Sequence, residues 1–394
     1  MNKILKTVLV GAGGYGETYV QALLNDINVK KYFDFATVVD PYVHNSRFYA
    51  QIKDTIPVYE CLEDFFVKNS ADITIISSPI HFHYEQCVTA LENGSHVICE
   101  KPLVPNLEQY NLLEKKVQNS GKILSVGFQW CYSEIMLELK NRIIAGEFGK
   151  PVCFKSFVSW PRDWQYYARK WAGKIKTEDG KTINDSIASN ATAHYIQNML
   201  FLLGGTMEES ATLTNTAVEC YKANDIESFD TIAFCGEAGG AKIFYAASHA
   251  VNYQVNPVMC YELEKASIFV NVFNQDFQCY IHRRDGIIET PGTAISNGEK
   301  NKLIFTAKNI LGEQGFICTA KTVRPVTAFI DAVFKQIQFG DIAEEFIVKD
   351  KENQRTYVKN LHLDLAHCFN VLKLPSELYM PWAKTAATIK DLYL

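Results

Sequence analysis

A short glycine run at the end of an apolar stretch constrains this chain more than any other feature. Thr7–Val10 reads as a strand, and Gly11-Ala12-Gly13-Gly14-Tyr15-Gly16 follows it directly. After the run, Tyr19, Val20, Leu23 and Leu24 recur with helical spacing. In a strand–G-x-G-x-x-G–helix turn the glycines have separate jobs. The first permits the tight turn, the second lets the backbone approach a pyrophosphate, and the third lets the helix close on the strand. The helix N-terminus turns N–H groups and the positive end of its dipole toward phosphates. A second apolar run, Phe35–Val39, ends in Asp40. A carboxylate there accepts hydrogen bonds from adenosine ribose hydroxyls and repels a 2′-phosphate. The pattern predicts a dinucleotide site, for NAD in preference to NADP, with Arg47 as the nearby cation able to reach a phosphate.

The chain has 394 residues, more than one compact core holds, so two domains are expected. Lys plus Arg is 39 against 44 Asp plus Glu, and no basic tract or aromatic–basic stripe points to nucleic acid. The eleven cysteines are scattered, odd in number and without a C-x-x-C pair. That fits free thiols in a reducing compartment rather than a disulfide frame or a zinc site. Lys3 and Lys6 precede an apolar run that is short and broken by the glycines, unlike a signal peptide. No stretch approaches the ~20 apolar residues of a membrane span. The reading is a soluble, cytoplasmic protein with no metal site and no G-x-S-x-G elbow.

Up to Phe128, strands alternate with helices. The strands are Thr7–Val10, Phe35–Val39, a piece near Val58, Ile73–Ser77, His96–Cys99 and Ile123–Val126. The helices include Cys61–Lys68, Tyr84–Asn93 and Leu107–Asn119. Asn106 is placed as an N-cap, and Gly94 and Gly121 as C-caps. Continuous apolar strands between helices predict a doubly wound parallel sheet over residues 1–128. Residues 129–394 read differently. A helix at Glu134–Ala145, a strand at Val152–Trp160 and a helix near Ser189–Leu203 come first. Long strands follow at Ala211–Tyr221, Thr231–Cys235, Ala241–Ser248, Met259–Leu263, Ala266–Val272 and Gln278–Arg283. The tail is helical at Pro325–Gln338 and Thr356–Leu372, and Gly286–Lys302 is the loosest stretch. The second domain is therefore expected to hold a large open sheet, antiparallel or mixed.

In a parallel sheet, ligands bind beyond the carboxyl ends of the strands. Those ends carry Ser78, Pro79 and His83, then Glu100-Lys101-Pro102, then Gln129. Lys101 is the leading catalytic candidate. A cationic nicotinamide beside it would lower its pKa, and it could exchange a proton with a hydroxyl while hydride moves at the same carbon. Pro102 fixes the lysine's backbone, in a place suited to a cis bond. The bland alternative is a surface lysine paired with Glu100.

These residues resemble the glucose–fructose oxidoreductase / inositol dehydrogenase / rhizopine-catabolism (Gfo/Idh/MocA) family. The likeness rests on Gly11–Gly16, Ser78-Pro79 with His83, Ala90-Leu91-Glu92-Asn93-Gly94-Ser95-His96-Val97, Glu100-Lys101-Pro102-Leu103 and Ile144-Ala145-Gly146-Glu147-Phe148-Gly149. It implies an α/β protein. A Rossmann domain precedes an α/β domain whose open, mostly antiparallel sheet pairs subunits into homodimers or homotetramers. It also implies NAD(P) and a sugar, cyclitol or sugar-derivative hydroxyl as the reacting group. Gly11, Gly13, Gly14, Tyr15, Gly16, Asp40, Ser78, Pro79, His83, Glu100, Lys101 and Gln129 become the candidate cofactor contacts. The resemblance further implies a catalytic histidine on a helix, which falls on His194. Asn190 precedes it by four residues and would share its helical face. The family often has acids where Asn190 and Gln197 stand, and a cation where Trp130 stands. Arg162, Tyr166, Tyr167, Arg169 and Trp171 are candidate substrate contacts beside Asn190 and His194, because aromatic faces stack on sugar C–H surfaces and Arg forks bind hydroxyls. The same stretch would equally suit a subunit interface. His249, His282, His362 and His367 read as packing residues. Two further functions stay open: redox-neutral glycoside cleavage through a transient keto-sugar, and a regulatory protein that binds NAD and sugar without turnover.

Overall fold

The computed structural model describes residues 3–273, 276–291, 293–295 and 297–383. They fall into two compact units. One comprises Met1–Ser133 and Asn297–Val323, the other Glu134–Ser296 and Arg324–Leu394. Residues 297–323, assigned to the second domain from sequence, thus belong with the first unit.

The first unit is built on β1 (Leu5–Val10), β2 (Phe33–Val39), β3 (Val58–Tyr59), β4 (Ile73–Ile76), β5 (His96–Cys99) and β6 (Leu124–Val126). Their order is β3-β2-β1-β4-β5-β6, all parallel. The order reverses beside β1, the point where doubly wound sheets open a crevice. The strands are mostly apolar, with Thr7 and Thr74 buried among the aliphatic side chains, because helices cover both faces. Asn106 Oδ1 accepts the Gln109 N–H at 2.9 Å and starts the helix Leu107–Ser120, which ends at Gly121 with φ +63°.

The returning segment completes this unit. Gly298–Ile310 is a helix whose first five residues fall in the stretch expected to be loosest, Gly286–Lys302. Leu303 and Ala307 lie in the core with Leu5, Leu9, Tyr19, Val20 and Ile75. Each such side chain contributes roughly 1.5–3 kcal/mol on burial, less for alanine. Cys318 O accepts the Val126 N–H at 2.7 Å, so the segment also closes the free edge of β6.

Among the described residues, the second unit holds a ten-stranded sheet. Its strands are β7 (Pro151–Ser159), β8 (Thr214–Lys222), β9 (Thr231–Ala238), β10 (Ala241–Ser248), β11 (Val255–Leu263), β12 (Ala266–Phe273), β13 (Asp276–Arg283), β14 (Ile288–Glu289), β15 (Thr293–Ile295) and β16 (Gly340–Asp341). The order is β14-β13-β12-β11-β7-β10-β9-β8-β16, with β15 also on β13. Most pairs are antiparallel; β7–β10 and β8–β16 are parallel. Two tail helices differ from expectation. The first spans Ala320–Gln336, starting before Pro325, because Thr319 and Thr322 exchange hydrogen bonds at its N-terminus. The second spans only Leu361–Val371. Thr356 sits instead in β18 (Arg355–Val358), paired with β17 (Ile347–Asp350), and Asn360 at φ +61° separates hairpin from helix.

All eleven cysteines are free, and nine are buried. Among the described residues no helix is long and apolar enough to cross a membrane.

His96 gives the first unit an acid-sensitive point. Its Nδ1 accepts the Ile123 N–H at 3.0 Å, and burial, with Lys122 nearby, pushes its pKa down to about 4. An unfolded histidine titrates near 6.5, so the unfolded chain takes up the proton first. This contribution to stability is complete above about pH 6.5 and is lost as pH falls toward 4. Thermal unfolding measured between pH 7 and 4 should show a falling Tm, and His96→Gln should flatten part of that fall.

Candidate functional site

In the first unit, the turn after β1 meets the demands its glycines predict. Gly11 has φ +82°, and a Cβ on it would lie 2.8 Å from the Ser77 carbonyl oxygen. A Cβ on Gly16 would collide with the Gly11 carbonyl. Around Gly13 a Cβ would meet nothing within 4 Å. Two glycines are therefore required by the protein's own packing, while Gly13 borders an open cradle. Such a surface fits a pyrophosphate approaching bare backbone. Asp40 Oδ2 accepts the Ala12 N–H at 2.8 Å, and Oδ1 accepts that of Tyr42 at 2.8 Å. The carboxylate is thereby held at the end of β2, beside the turn. Arg47 pairs with Glu17 at 3.0 Å.

The next strand ends are tied together. His83 is buried, with Nδ1 2.9 Å from Pro102 O and Nε2 2.8 Å from Ser78 O. It braces the end of β4 against that of β5, and burial lowers its pKa. Ser78 Oγ bonds to Gln86 Oε1. Pro79 caps the short helical turn Ile80–Phe82. The Lys101–Pro102 bond is cis. Lys101 is half-buried, and its N–H reaches Glu100 Oε2 at 3.2 Å.

Glu100 faces inward. It is 6% exposed, accepts the Tyr19 hydroxyl at 2.7 Å and pairs with the Nζ of Lys302, which is 1% exposed. A Cβ on Gly127 would fall 2.5 Å from Glu100 Oε1, so glycine makes room for the carboxylate. Lys302 Nζ also donates to Tyr15 Oη at 3.2 Å and lies over the Tyr15 and Tyr19 rings. Tyr15 Oη donates to Gln129 Oε1 at 2.7 Å. One buried ammonium thus connects the glycine turn with the backbone of Lys101. Lys302 was missed from sequence because it closes the glycine- and asparagine-rich stretch 286–302. The apolar spacing of Leu303 and Ala307 with Gly312 beyond was the available signal.

In the second unit, Asn190 and His194 do not lie on one regular helix. Ile187–Ala191 is a π-helical turn, closed by Thr192 N–H to Ile187 O at 3.0 Å, and the α-helix Ala193–Leu202 begins after it. The extra residue per turn changes the i, i+4 register expected between the two side chains. Asn190 Nδ2 donates to Asp185 Oδ1 at 2.9 Å, and Asp185 Oδ2 accepts the Gly173 N–H at 2.7 Å. Asp185 is 4% exposed. A carboxylate therefore stands beside Asn190, supplied from five residues upstream. His194 is buried in the first turn of the helix. Gln197 is buried and donates to Ser210. Trp130, in the first unit, is also buried.

The aromatic–basic stretch gathers around Tyr166. Arg162 and Arg169 lie over its ring at 4.8 and 5.1 Å, and Tyr167 and Trp171 meet it edge-on. Burial raises the Tyr166 and Tyr167 pKa values, which keeps both hydroxyls protonated.

Comparison with known proteins adds the identity of the first unit. The Gfo/Idh/MocA oxidoreductase family, described as an NAD-binding Rossmann fold, matches residues 5–128. That match covers the Rossmann part of the first unit, less than a third of the chain. Among Gfo/Idh/MocA relatives, the scyllo-inositol 2-dehydrogenase (NAD(+)) of Bacillus subtilis is 38% identical over 100 residues, 25% of this chain and 28% of the relative. An inositol 2-dehydrogenase of Salmonella typhimurium is 26% identical over 151 residues, 38% of this chain and 44% of the relative. The matched segments thus span less than half of either relative. The crystal structure of the WlbA dehydrogenase from Bordetella pertussis, in complex with NADH and UDP-GlcNAcA, superposes with a TM-score of 0.69 at 18% identity. That superposition covers 84% of this chain and 96% of the other, and the shared property is the fold.

Proposed function

We propose that this chain is an NAD-dependent dehydrogenase or reductase acting on a secondary hydroxyl or carbonyl of a sugar, cyclitol or sugar derivative. The carrying observation lies within the first unit: Lys101 leaves β5 of the same sheet whose β1 feeds the open glycine cradle. Gly11, Gly13, Gly14, Tyr15, Gly16 and Asp40 hold the dinucleotide, with Ser78, Pro79, His83, Glu100 and Gln129 supporting or contacting it. Bound NAD supplies the hydride acceptor. Lys101 Nζ takes the proton from the substrate hydroxyl during oxidation and returns it during reduction. His194 assists, and Asn190 orients a hydroxyl by hydrogen bonding. Arg162, Tyr166, Tyr167, Arg169 and Trp171 bind substrate. The names of two relatives support the substrate class: both are inositol 2-dehydrogenases.

Asp40 favours NAD over NADP, and the pairing of Arg47 with Glu17 leaves that cation less available to a 2′-phosphate. Fluorescence titration should give tighter binding of NADH than of NADPH, with Asp40→Ala narrowing the difference; equal affinities in the unaltered protein would remove Asp40 from that role. Gly13→Ala should fold normally yet weaken NADH binding, while Gly11→Ala should lower Tm. A Gly13→Ala protein with full NADH affinity would contradict the cradle. We also assign the open sheet of the second unit to homodimer or homotetramer formation in a cytoplasmic protein; a monomeric mass by light scattering would count against that assembly.

A further inference from the structure

Strands β7 and β10 run parallel, with Ser159 opposite Ser248. Their carboxyl ends stay side by side: the Trp160 N–H reaches Ser248 O at 3.0 Å, and the Arg162 N–H reaches His249 O at 3.3 Å. This end of a parallel pair is where open sheets present ligand-binding groups. His249 is 2% exposed, and its own N–H is fixed to Asp230 O at 2.8 Å. Its Nδ1 lies 2.8 Å from Trp160 O. A carbonyl only accepts, so Nδ1 carries the proton and the neutral ring leaves Nε2 as an acceptor. Burial, reinforced by Arg162, pushes the His249 pKa down to about 3, which keeps the ring neutral at physiological pH.

Nε2 of His249 has no hydrogen-bond partner among the described residues, nor have Nε of Arg162 and Oη of Tyr167. All three groups pack around Tyr166: the His249 ring at 5.8 Å, the Arg162 guanidinium at 4.8 Å and the Tyr167 ring at 5.1 Å. An acceptor, a donor and a hydroxyl are thus buried together unsatisfied, which is costly in a core and ordinary in a binding site. We propose that His249 accepts a hydrogen bond from a hydroxyl of a neutral polyol, with Arg162 and Tyr167 engaging oxygens of the same ligand. A hydroxyl both donates and accepts, so a polyol satisfies all three groups. A carboxylate would satisfy Arg162 but would set its lone pairs against that of Nε2. The inference rests on the second unit being the substrate-binding one and adds to it a residue that selects hydroxyl over acid.

The test is isothermal calorimetry on NADH-loaded protein with myo-inositol, scyllo-inositol, methyl α-D-glucoside and D-glucuronate, alongside NAD-linked turnover. His249→Leu should weaken the best neutral polyol by about tenfold, the loss expected for one neutral hydrogen bond. His249→Gln, which keeps an acceptor, should recover most of that loss. D-glucuronate should bind more weakly than the neutral ligands to the unaltered protein. An unchanged Tm and circular dichroism spectrum in both variants certifies the fold of the second unit, and unchanged NADH affinity shows that the first is undisturbed. Equal polyol affinity in unaltered protein and His249→Leu overturns the inference, as does preference for D-glucuronate or failure of every neutral polyol to bind. Polyol binding that depends on His249, without any turnover, sinks the dehydrogenase reading and upholds this one.

Discussion

Lys101→Met is expected to lower turnover by about 10²–10⁴-fold, the range contributed by a positioned general acid or base. The substitution keeps about the length of the side chain and removes its ammonium group. Lys101 contributes its backbone N–H to Glu100 at 3.2 Å, and methionine retains that bond. NADH affinity should stay near the unaltered value. Stopped-flow absorbance would separate these effects. Turnover that survives within a few-fold would mean that another group moves the proton.

Lys302→Met is the second large effect, and it acts through stability. Glu100 and Lys302 are both buried, and removing one partner strands the other's charge. Breaking such a pair costs roughly 3–5 kcal/mol. Chemical denaturation should show a loss of that order. The double variant Glu100→Gln with Lys302→Met should recover part of it, because neither buried charge then remains. The single variant should also weaken NADH binding, since Lys302 bonds to Tyr15 in the glycine turn. A Lys302→Met protein as stable as its parent would show that Glu100 finds another partner.

The parts of this protein that local chemistry specifies were legible without coordinates. The β1 turn announces itself because three glycine spacings answer three steric demands within six residues. The parallel sheet follows from uninterrupted apolar runs, and Asn106 and Gly121 mark helix ends through short-range hydrogen bonding and φ. Most strands of the second unit were legible for the same reason. What escaped depends on distant partners. Lys302 has meaning through Glu100, 202 residues away in sequence, and Tyr15, 287 away. His249 takes its tautomer from a carbonyl 89 residues upstream. A single extra residue in the turn at Ile187–Ala191 undid the helical register assumed for Asn190, and periodicity cannot reveal such an insertion. The carboxylate of Asp185 sits beside Asn190 because a loop folds back, not because of a repeat spacing. Thr356 read as helix because its apolar neighbours fit that period, whereas the Asp350–Asn353 turn directs the chain into a hairpin.

The most direct test of the central claim is the absorbance of NADH. Purified protein would be mixed with NAD, then NADP, against cyclitols, aldoses, uronic acids, amino sugars and glycosides. Turnover as proposed gives a rise with NAD and at least one neutral polyol, absent in Lys101→Met. Silence across the panel from protein shown to bind NADH would contradict it.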